Sequence, residues 1–299
     1  MGLIETADGT QLNVVDWGEG KPLVLIHGWP FDLQSFEYQL TELPKEGLRC
    51  IAYDRRGFGR SSKPWSPYDY DSLADDLAAL LEQLDLRDAT LAGFSMGGGE
   101  IVRYFSRHGG RRVAKVVLIS SITPYLLKTQ DNPDGVDGAV FDDMREKLRG
   151  DRANFLATFV KMLLGGGVLN LSVSNAIQDW LRTLALQASP RATLECLQSF
   201  SQTDFRGEMA AINVPTLIIH GEADKNVPLA GAAQTARLIP NSRYLVYPKA
   251  PHGLFFTAKE RLNRDLADFV HGRDLRAEIE AEATERAVGA NLSEIGLPT

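Results

Sequence analysis

The sequence predicts an α/β protein built on a mostly parallel, doubly wound sheet of eight strands, with a helical cap inserted into it. Three observations lead to this prediction. Short apolar runs that end at polar or glycine-rich turns alternate with stretches of helical spacing, the alternation stops between residues 123 and 213, and it resumes from residue 214. Strands that alternate with helices in this way form parallel sheets with crossover helices.

The first part of the predicted core covers residues 1–122. Alternating apolar and polar residues over 3–17, divided by Asp8-Gly9, predict a hairpin at one edge of the sheet. The apolar runs and helical spacings that follow predict a regular succession of elements. The predicted strands cover 22–26, 50–53, 89–94 and 113–120, and the predicted helices cover 35–45, 72–84 and 96–107.

The cap is predicted over residues 123–213, and the second part of the core over 214–272. Helical spacing in the cap falls at 140–148, 153–164, 174–186 and 191–200. The core then resumes with predicted strands at 216–219 and 243–247 and predicted helices at 229–238 and 258–270. We expect an acidic tail over 273–299, helical or disordered, because six acids stand there against three arginines; a docking or oligomer-forming element is the alternative.

Composition narrows the classes of function. Apolar residues make up 44% and charged residues 24% of the 299 positions, as in ordinary globular proteins. The formal charge of −7 and a basic run, 103–115, that is broken by apolar and glycine residues argue against nucleic acid as a partner. The sequence has no apolar run of about eighteen residues and no secretion signal, so we expect neither membrane insertion nor export. Two distant cysteines, Cys50 and Cys196, suit a reducing compartment, and we expect a cytoplasmic protein without a metal or other cofactor.

Ser95 is the predicted nucleophile. Gly93-Phe94-Ser95-Met96-Gly97 fits the pattern G-x-S-x-G, with a predicted strand before the serine and a predicted helix after it. Such a tight turn needs strained backbone angles at the serine and small residues on either side. The helix N-terminus beside the hydroxyl favours a developing anion.

A serine hydroxyl needs an adjacent base, and a base needs an orienting group. Of the five histidines, His252 lies in a loop directly after the last predicted strand, at the carboxyl edge where such sheets build their sites. The other histidines stand where turn or capping roles are expected: His27, His108, His220 and His271.

Asp224 is the predicted orienting carboxylate, since the seventh predicted strand runs into Gly221-Glu222-Ala223-Asp224, whereas the sixth runs into residues without an acid. Glu222 is the near rival, and Asp54, beside Arg55 and Arg56, is expected to be a structural ion-pair partner. The chain order Ser, Asp, His is the one associated with the α/β-hydrolase fold.

Two backbone amides are predicted to form the oxyanion hole: that of Met96, after the nucleophile, and that of Trp29, in the turn after the third predicted strand. Pro30 restricts the angles of Trp29 and would hold this wall of the site rigid. The alternative is that Pro30 only ends a strand.

Apolar side chains are expected to bind the substrate. We assign Pro30, Phe94, Phe159 and Trp180 to this role. Cap residues at helical spacing could equally pack the cap against the core, which leaves both interpretations open for them. They are Phe141, Phe155, Phe159, Met162, Leu163 and Trp180.

Several motifs together resemble those of the cofactor-free bacterial haloperoxidases and their arylesterase relatives. The motifs are His27-Gly28-Trp29-Pro30, the run 54–62, the run 94–100, Gly221-Glu222-Ala223-Asp224 and Ala250-Pro251-His252-Gly253. The resemblance spans residues 3–272. It implies an esterase that also perhydrolyses: hydrogen peroxide replaces water in attacking the acyl-enzyme, and the peracid released oxidises halide without a metal.

The same resemblance implies that Ser95, Asp224 and His252 form the triad and that Trp29 and Met96 donate to the oxyanion. A proline after the tryptophan accompanies perhydrolase character in the family, which favours that role for Pro30. The partners it implies are small esters or carboxylic acids and peroxide. The tail beyond Gly272 departs from the family pattern, so the homo-oligomers common in the family could be altered here.

Haloalkane dehalogenases and epoxide hydrolases, whose nucleophile is aspartate, are excluded by the serine at position 95. Two alternatives remain. One is a small-molecule receptor or slow signalling hydrolase that keeps the triad, because the site and not the fold decides function. The other is a lactonase.

Overall fold

The part of the chain that the structure describes has one sheet of eight strands, in the order β1-β2-β4-β3-β5-β6-β7-β8. A computed structural model describes residues 2–166 and 173–275. Strand β2 runs antiparallel to β1 and β4, and the strands from β4 to β8 are parallel. The strands are β1 Gly2–Glu5, β2 Gln11–Trp17, β3 Lys21–Ile26, β4 Leu48–Tyr53, β5 Ala89–Phe94, β6 Val113–Ile119, β7 Thr216–Gly221 and β8 Ser242–Tyr247. This confirms the predicted doubly wound sheet.

The central strands are buried on both faces, as parallel strands covered by crossover helices must be. Every residue of β5 and β7 is buried, and so are the last four residues of β3 and β6. Helix α2 packs against α3, and α1 packs against α9. The core helices are α1 Glu37–Glu42, α2 Tyr70–Gln83, α3 Met96–His108, α7 Leu229–Leu238, α8 Leu254–Thr257 and α9 Lys259–His271.

Among the described residues between β6 and β7, three α-helices form: α4 Gly138–Leu163, α5 Asn175–Gln187 and α6 Pro190–Gln202. Helix α4 packs against both α5 and α6. The two helices predicted at 140–148 and 153–164 are the two arms of α4, which bends at Asp151 (φ −142°, ψ 81°). Asp151 accepts a hydrogen bond from the Asn154 amide, as an N-cap does.

The helix predicted at 258–270 is α9, Lys259–His271. The short helix α8, Leu254–Thr257, was not predicted; it precedes α9 and is separated from it by Ala258 (φ −132°), which leaves the helical path. The predicted acidic tail lies, apart from residues 273–275, outside the described residues.

Candidate active site

Ser95 occupies the sharp turn between β5 and α3, with φ 53° and ψ −115°. The glycines around it are required by close backbone approach. A Cβ on Gly93 would lie 2.6 Å from the carbonyl carbon of Gly97, and a Cβ on Gly97 would lie 2.6 Å from the carbonyl oxygen of Ile26. The turn therefore depends on two positions without side chains, and it places the hydroxyl at the carboxyl edge of the sheet.

The structure brings Ser95, His252 and Asp224 together in one hydrogen-bonded chain. His252 Nε2 lies 3.0 Å from Ser95 Oγ, and His252 Nδ1 lies 2.6 Å from Asp224 Oδ2. Since the carboxylate accepts at Nδ1, that nitrogen carries the proton, and Nε2 is left to accept from the serine hydroxyl. Ser95 is 7% exposed and His252 is 2% exposed, so little water reaches the proton path.

The Asp224 carboxylate is held by more than the base. Its Oδ1 accepts from the amides of Asn226 at 2.8 Å and Val227 at 2.9 Å. Burial alone would raise the pKa of this carboxyl, but His252 and His220 outweigh it and hold the Asp224 pKa well below its usual range. Asp224 therefore stays ionised through the neutral range and can stabilise a protonated His252.

The loop that carries His252 is anchored to the cap. The Gly253 amide donates to the Leu163 carbonyl at the end of α4, at 2.8 Å. Beside the imidazole lies the ring of Phe94, with centroids 4.9 Å apart, and Phe255 packs against Phe94 in turn. The base is thus fixed from the cap side and from the sheet side.

The other histidines have structural contacts. His27 accepts from the Arg55 amide at 3.0 Å, His108 contacts Asp75, and His271 contacts the Glu46 carbonyl. His220 was expected to have only a turn role. Its Nε2 instead lies near the Asp224 carboxylate.

The rival acids lie away from the base. Glu222 is exposed and accepts from the Lys249 amide at 2.9 Å. Asp54 does not pair with Arg55 or Arg56, contrary to expectation; instead it accepts from the amides of Leu33 and Arg60 and from Asn13. Arg55 pairs with Glu100, and Arg56 pairs with Asp76.

The turn that carries Trp29 is joined to the nucleophile helix through a buried ion pair. Arg55 donates to Glu100 Oε2 at 2.8 Å and to the His27 carbonyl at 2.8 Å. Tyr53 donates to the other oxygen of Glu100. Arg55 and Glu100 are both fully buried, and Glu100 lies on α3, the helix that follows Ser95. The position of the Trp29 turn relative to Ser95 is therefore set by this pair.

Trp29 itself packs into the cap. Its indole Nε1 donates to the Thr193 carbonyl at 3.0 Å, and its ring contacts Phe159 and Phe200 edge-on, with centroids 5.1 and 5.6 Å apart. Pro30, directly after it, is buried. The assignment of the Trp29 and Met96 amides to the oxyanion stays a prediction.

A cavity of about 220 Å³ opens in front of Ser95 and His252, and we call it the catalytic cavity. It lies between the carboxyl edge of the sheet and helix α4. Most of its wall is apolar: Trp29, Ile122, Leu126, Val136, Val140, Phe141, Met144, Phe159, Met162, Phe200 and Val227. Two further residues of the loop after β7 line it, Lys225 and Asn226.

The predicted substrate-binding residues are only partly found in this wall. Phe159 lines the catalytic cavity, as do Phe141 and Met162, but Pro30, Phe94 and Trp180 do not. Phe94 packs beneath His252 because it ends a fully buried strand, and Trp180 is half-buried on α5, packed against the core. The assignment of these three residues to substrate binding stays a prediction that the wall of the cavity does not support.

Several lining residues were missed by the sequence prediction. Ile122 follows β6, Val227 follows Asp224 by three residues, and Phe200 lies near the end of α6. The first two stand just beyond the carboxyl ends of strands, where open α/β sheets place their sites. Their position in the sequence could therefore have predicted that Ile122 and Val227 line the cavity. No comparable pattern pointed to Phe200.

Within residues 2–166 and 173–275, no cluster of three or more His, Cys, Asp or Glu side chains is arranged to hold a metal ion. Over the same residues, no helix is long and apolar enough to cross a membrane.

Comparison with known proteins decides the family. A sequence model described as alpha/beta hydrolase fold matches residues 21–259. The chain belongs to the alpha/beta hydrolase fold family. Within it, the relatives are non-heme haloperoxidases and esterases.

Two relatives and one solved structure illustrate this branch of the alpha/beta hydrolases. A non-heme haloperoxidase from Rhodococcus erythropolis is 40% identical over 90% of this chain and 99% of its own. A bifunctional esterase/perhydrolase from Acinetobacter calcoaceticus is 37% identical over 90% and 99%. The crystal structure of a bromoperoxidase from Bacillus anthracis superposes with a TM-score of 0.87, at 42% identity over 90% and 99%.

Proposed function

We propose that this alpha/beta hydrolase is a serine esterase for small carboxylic esters that also transfers the acyl group to hydrogen peroxide. The observation that supports it most directly is the continuous contact from Ser95 through His252 to Asp224. The relatives named haloperoxidase and esterase/perhydrolase support the same activities. A small cavity with a mostly apolar wall suits small acyl groups.

Acylation follows from the geometry. Ser95 Oγ attacks the ester carbonyl while His252 Nε2, 3.0 Å away, takes its proton as general base. Asp224 holds Nδ1–H and stabilises the imidazolium that forms. The oxyanion develops beside the start of α3, where the Met96 amide and the Trp29 amide are the proposed donors. The alcohol leaves with the proton from His252, and the acyl group remains on Oγ.

Deacylation reverses these roles with either of two nucleophiles. Water or hydrogen peroxide gives a proton to His252 Nε2, and its oxygen bonds to the acyl carbon. The bond to Ser95 Oγ then breaks, and Oγ recovers the proton from His252. Water releases the acid, and peroxide releases the peracid. Pro30, buried directly after Trp29 in the proposed oxyanion turn, supports the peroxide reaction.

The esterase is tested by the rate of nitrophenol release from p-nitrophenyl acetate. We expect many turnovers per enzyme and a loss of about a million-fold in kcat in Ser95→Ala. A single burst that leaves Ser95 acylated would instead favour the receptor, and turnover of lactones but of no open-chain ester would favour the lactonase.

Perhydrolysis needs a separate measurement: peracetate formed from acetate and hydrogen peroxide. We expect the natural chain to form peracetate faster than Pro30→Leu, while both hydrolyse p-nitrophenyl acetate. A rate equal to that of Pro30→Leu would contradict the peroxide reaction and leave the esterase proposal intact.

The cytoplasmic location is part of the same proposal. It is supported by Cys50 and Cys196, which are both buried, unpaired thiols. Thiols that stay unpaired suit a reducing compartment.

A further inference from the structure

We propose that Lys225 and Asn226 make the catalytic cavity selective for short esters that carry a free carboxylate at the end away from the reacting bond. This inference rests on the esterase activity proposed above and names its substrate class. Both residues belong to the loop that also carries Asp224, and both line the cavity in front of Ser95.

The loop holds these two residues in a fixed relation to the triad. The Asp224 carboxylate accepts hydrogen bonds from the amides of Asn226 and Val227, and the Val227 carbonyl lies 3.1 Å from His220 Nε2. The backbone is therefore wrapped around the catalytic carboxylate. Residues 225 and 226 are carried by the same turn, so their side chains project from a rigid support beside the reacting atoms.

Lys225 is the only side chain with a permanent charge among the described residues that line the cavity. No ion pair or hydrogen bond from its ammonium to another described residue is present. An unpaired ammonium at the edge of an apolar wall attracts anions, and it does so against a formal charge of −7 on the whole chain. The cavity thus has one cationic point on an otherwise uncharged surface.

Asn226 adds hydrogen-bonding capacity next to this charge. Its Oδ1 is buried and has no hydrogen-bond partner in the part of the chain that the structure describes. The Trp29 indole, which also lines the wall, already donates to the Thr193 carbonyl. The Oδ1 atom of Asn226 can only accept a hydrogen bond, so it does not bind a carboxylate; the Nδ2 group of the same side chain is the donor that can.

The size of the cavity sets the length of the substrate. At about 220 Å³ the catalytic cavity is smaller than the usual range of about 300 to 1,000 Å³ for ligand pockets. The acyl chain that joins the ester carbonyl at Ser95 to a carboxylate at Lys225 must therefore be short. Half-esters of succinic, glutaric and adipic acid match this description: one carboxyl is esterified and reacts, and the other remains ionised.

The test compares two methyl esters of the same length. Monomethyl glutarate carries the remote carboxylate, and its amide counterpart, methyl glutaramate, carries a neutral group of the same shape. We expect the natural chain to prefer the half-ester by about three- to tenfold in kcat/KM, the range of a partly exposed ion pair. The preference should fall as salt is raised from about 0.05 to about 0.5 M, because exposed charges are screened.

Substitutions assign the preference to its residues. Lys225→Met should bring the ratio of the two kcat/KM values close to one, Lys225→Glu should invert it, and Lys225→Arg should keep it. The matched control is Lys45→Met, which also removes one lysine charge. Lys45 lies just before β4, at the end of the strands opposite to the catalytic cavity, so this variant should leave the ratio unchanged. Asn226→Leu should reduce the preference mainly through KM for the half-ester.

Two results would overturn the inference: equal kcat/KM for both esters in the natural chain, or a preference that Lys225→Met leaves unchanged. Either result, obtained with an enzyme that still turns over p-nitrophenyl acetate, contradicts the substrate class and leaves the esterase intact. Absence of turnover on every ester would contradict the proposed function itself.

Discussion

His220 Nε2 lies 3.3 Å from Asp224 Oδ2, so the acid that orients His252 is in contact with a second histidine. The same nitrogen lies 3.1 Å from the Val227 carbonyl. Both neighbours are acceptors, and Nε2 therefore carries the proton. His220 is fully buried and, with Val227, closes the loop around the carboxylate. It is a positioning residue for Asp224.

Replacing His220 should reduce turnover more than substrate binding. His220→Leu removes the donor to Val227 and Asp224, a loss of about 1 to 2 kcal/mol in holding the carboxylate, and we expect kcat to fall about tenfold. KM should change little, since His220 does not line the cavity. His220→Gln keeps an N–H donor and should recover much of kcat. Equal losses in the two variants would contradict a role in hydrogen bonding.

The choice between Asp224 and Glu222 is tested by a pair of neutral substitutions. Asp224→Asn should lower kcat about ten-thousandfold, because the amide no longer fixes the His252 tautomer. Glu222→Gln is the matched control, because Glu222 is exposed and its carboxylate accepts from the Lys249 amide and not from His252. Steady-state kinetics on p-nitrophenyl acetate measure both. A large loss in Glu222→Gln with activity kept in Asp224→Asn would show that the acid is misassigned.

Breaking the buried Arg55–Glu100 pair should lower the free energy of unfolding strongly. Glu100→Gln leaves the Arg55 charge buried without its counter-ion, and the expected cost is about 3 to 5 kcal/mol in the free energy of unfolding. Denaturant unfolding measures it, with Glu82→Gln on the exposed side of α2 as control, expected to stay within about 0.5 kcal/mol. A loss as small as that of the control would mean that Arg55 is satisfied without Glu100.

Asp32 should make stability depend on pH. It is fully buried, its Oδ1 accepts from the Gln34 amide, and its Oδ2 has no partner among the described residues. Burial, and then the nearby Asp54, raise the pKa of Asp32 to about 7. The folded state therefore holds a proton that the unfolded state has already lost between about pH 4 and pH 7. The stability that goes with a protonated Asp32 is therefore fully present below about pH 4, and it is lost as the pH rises through about 7.

Asp32→Asn keeps the cap to Gln34 and removes the ionisation. We expect it to be more stable than the natural chain at pH 8, on the order of 3 kcal/mol, and the gain should disappear toward pH 4. Urea unfolding at both pH values measures the difference. A gain that is the same at pH 4 and pH 8 would rule out ionisation of Asp32 as its cause.

The sequence was enough to single out Ser95, His252 and Asp224, which the structure brings into contact, because each stands at a recognisable place in the α/β pattern. Ser95 lies between a strand and a helix, and Asp224 and His252 lie in the loops after the last two strands. What it could not provide was the direction of individual side chains. Phe94 ends the same strand that presents Ser95, yet it packs beneath His252 and not into the cavity. The contact of His220 with Asp224 likewise depends on how one loop folds back.

The cap was harder to predict for a related reason. Its helices were found, and the gap predicted between residues 148 and 153 contains the bend of α4 at Asp151. Helical spacing does not show which cap residues face the cavity, because that depends on the angle at which the cap lies on the sheet. Phe159 and Trp180 both have the apolar character of a lining residue, and only Phe159 lines the cavity.

The most direct test of the central claim is the mass of the enzyme trapped during turnover of p-nitrophenyl acetate. We expect one acetyl group on the peptide that contains Ser95 and none in Ser95→Ala. Added hydrogen peroxide should make this adduct decay faster, with peracetate released in equal amount. An acetyl group on another residue, or an adduct on Ser95 whose decay neither water nor peroxide completes, would contradict the claim.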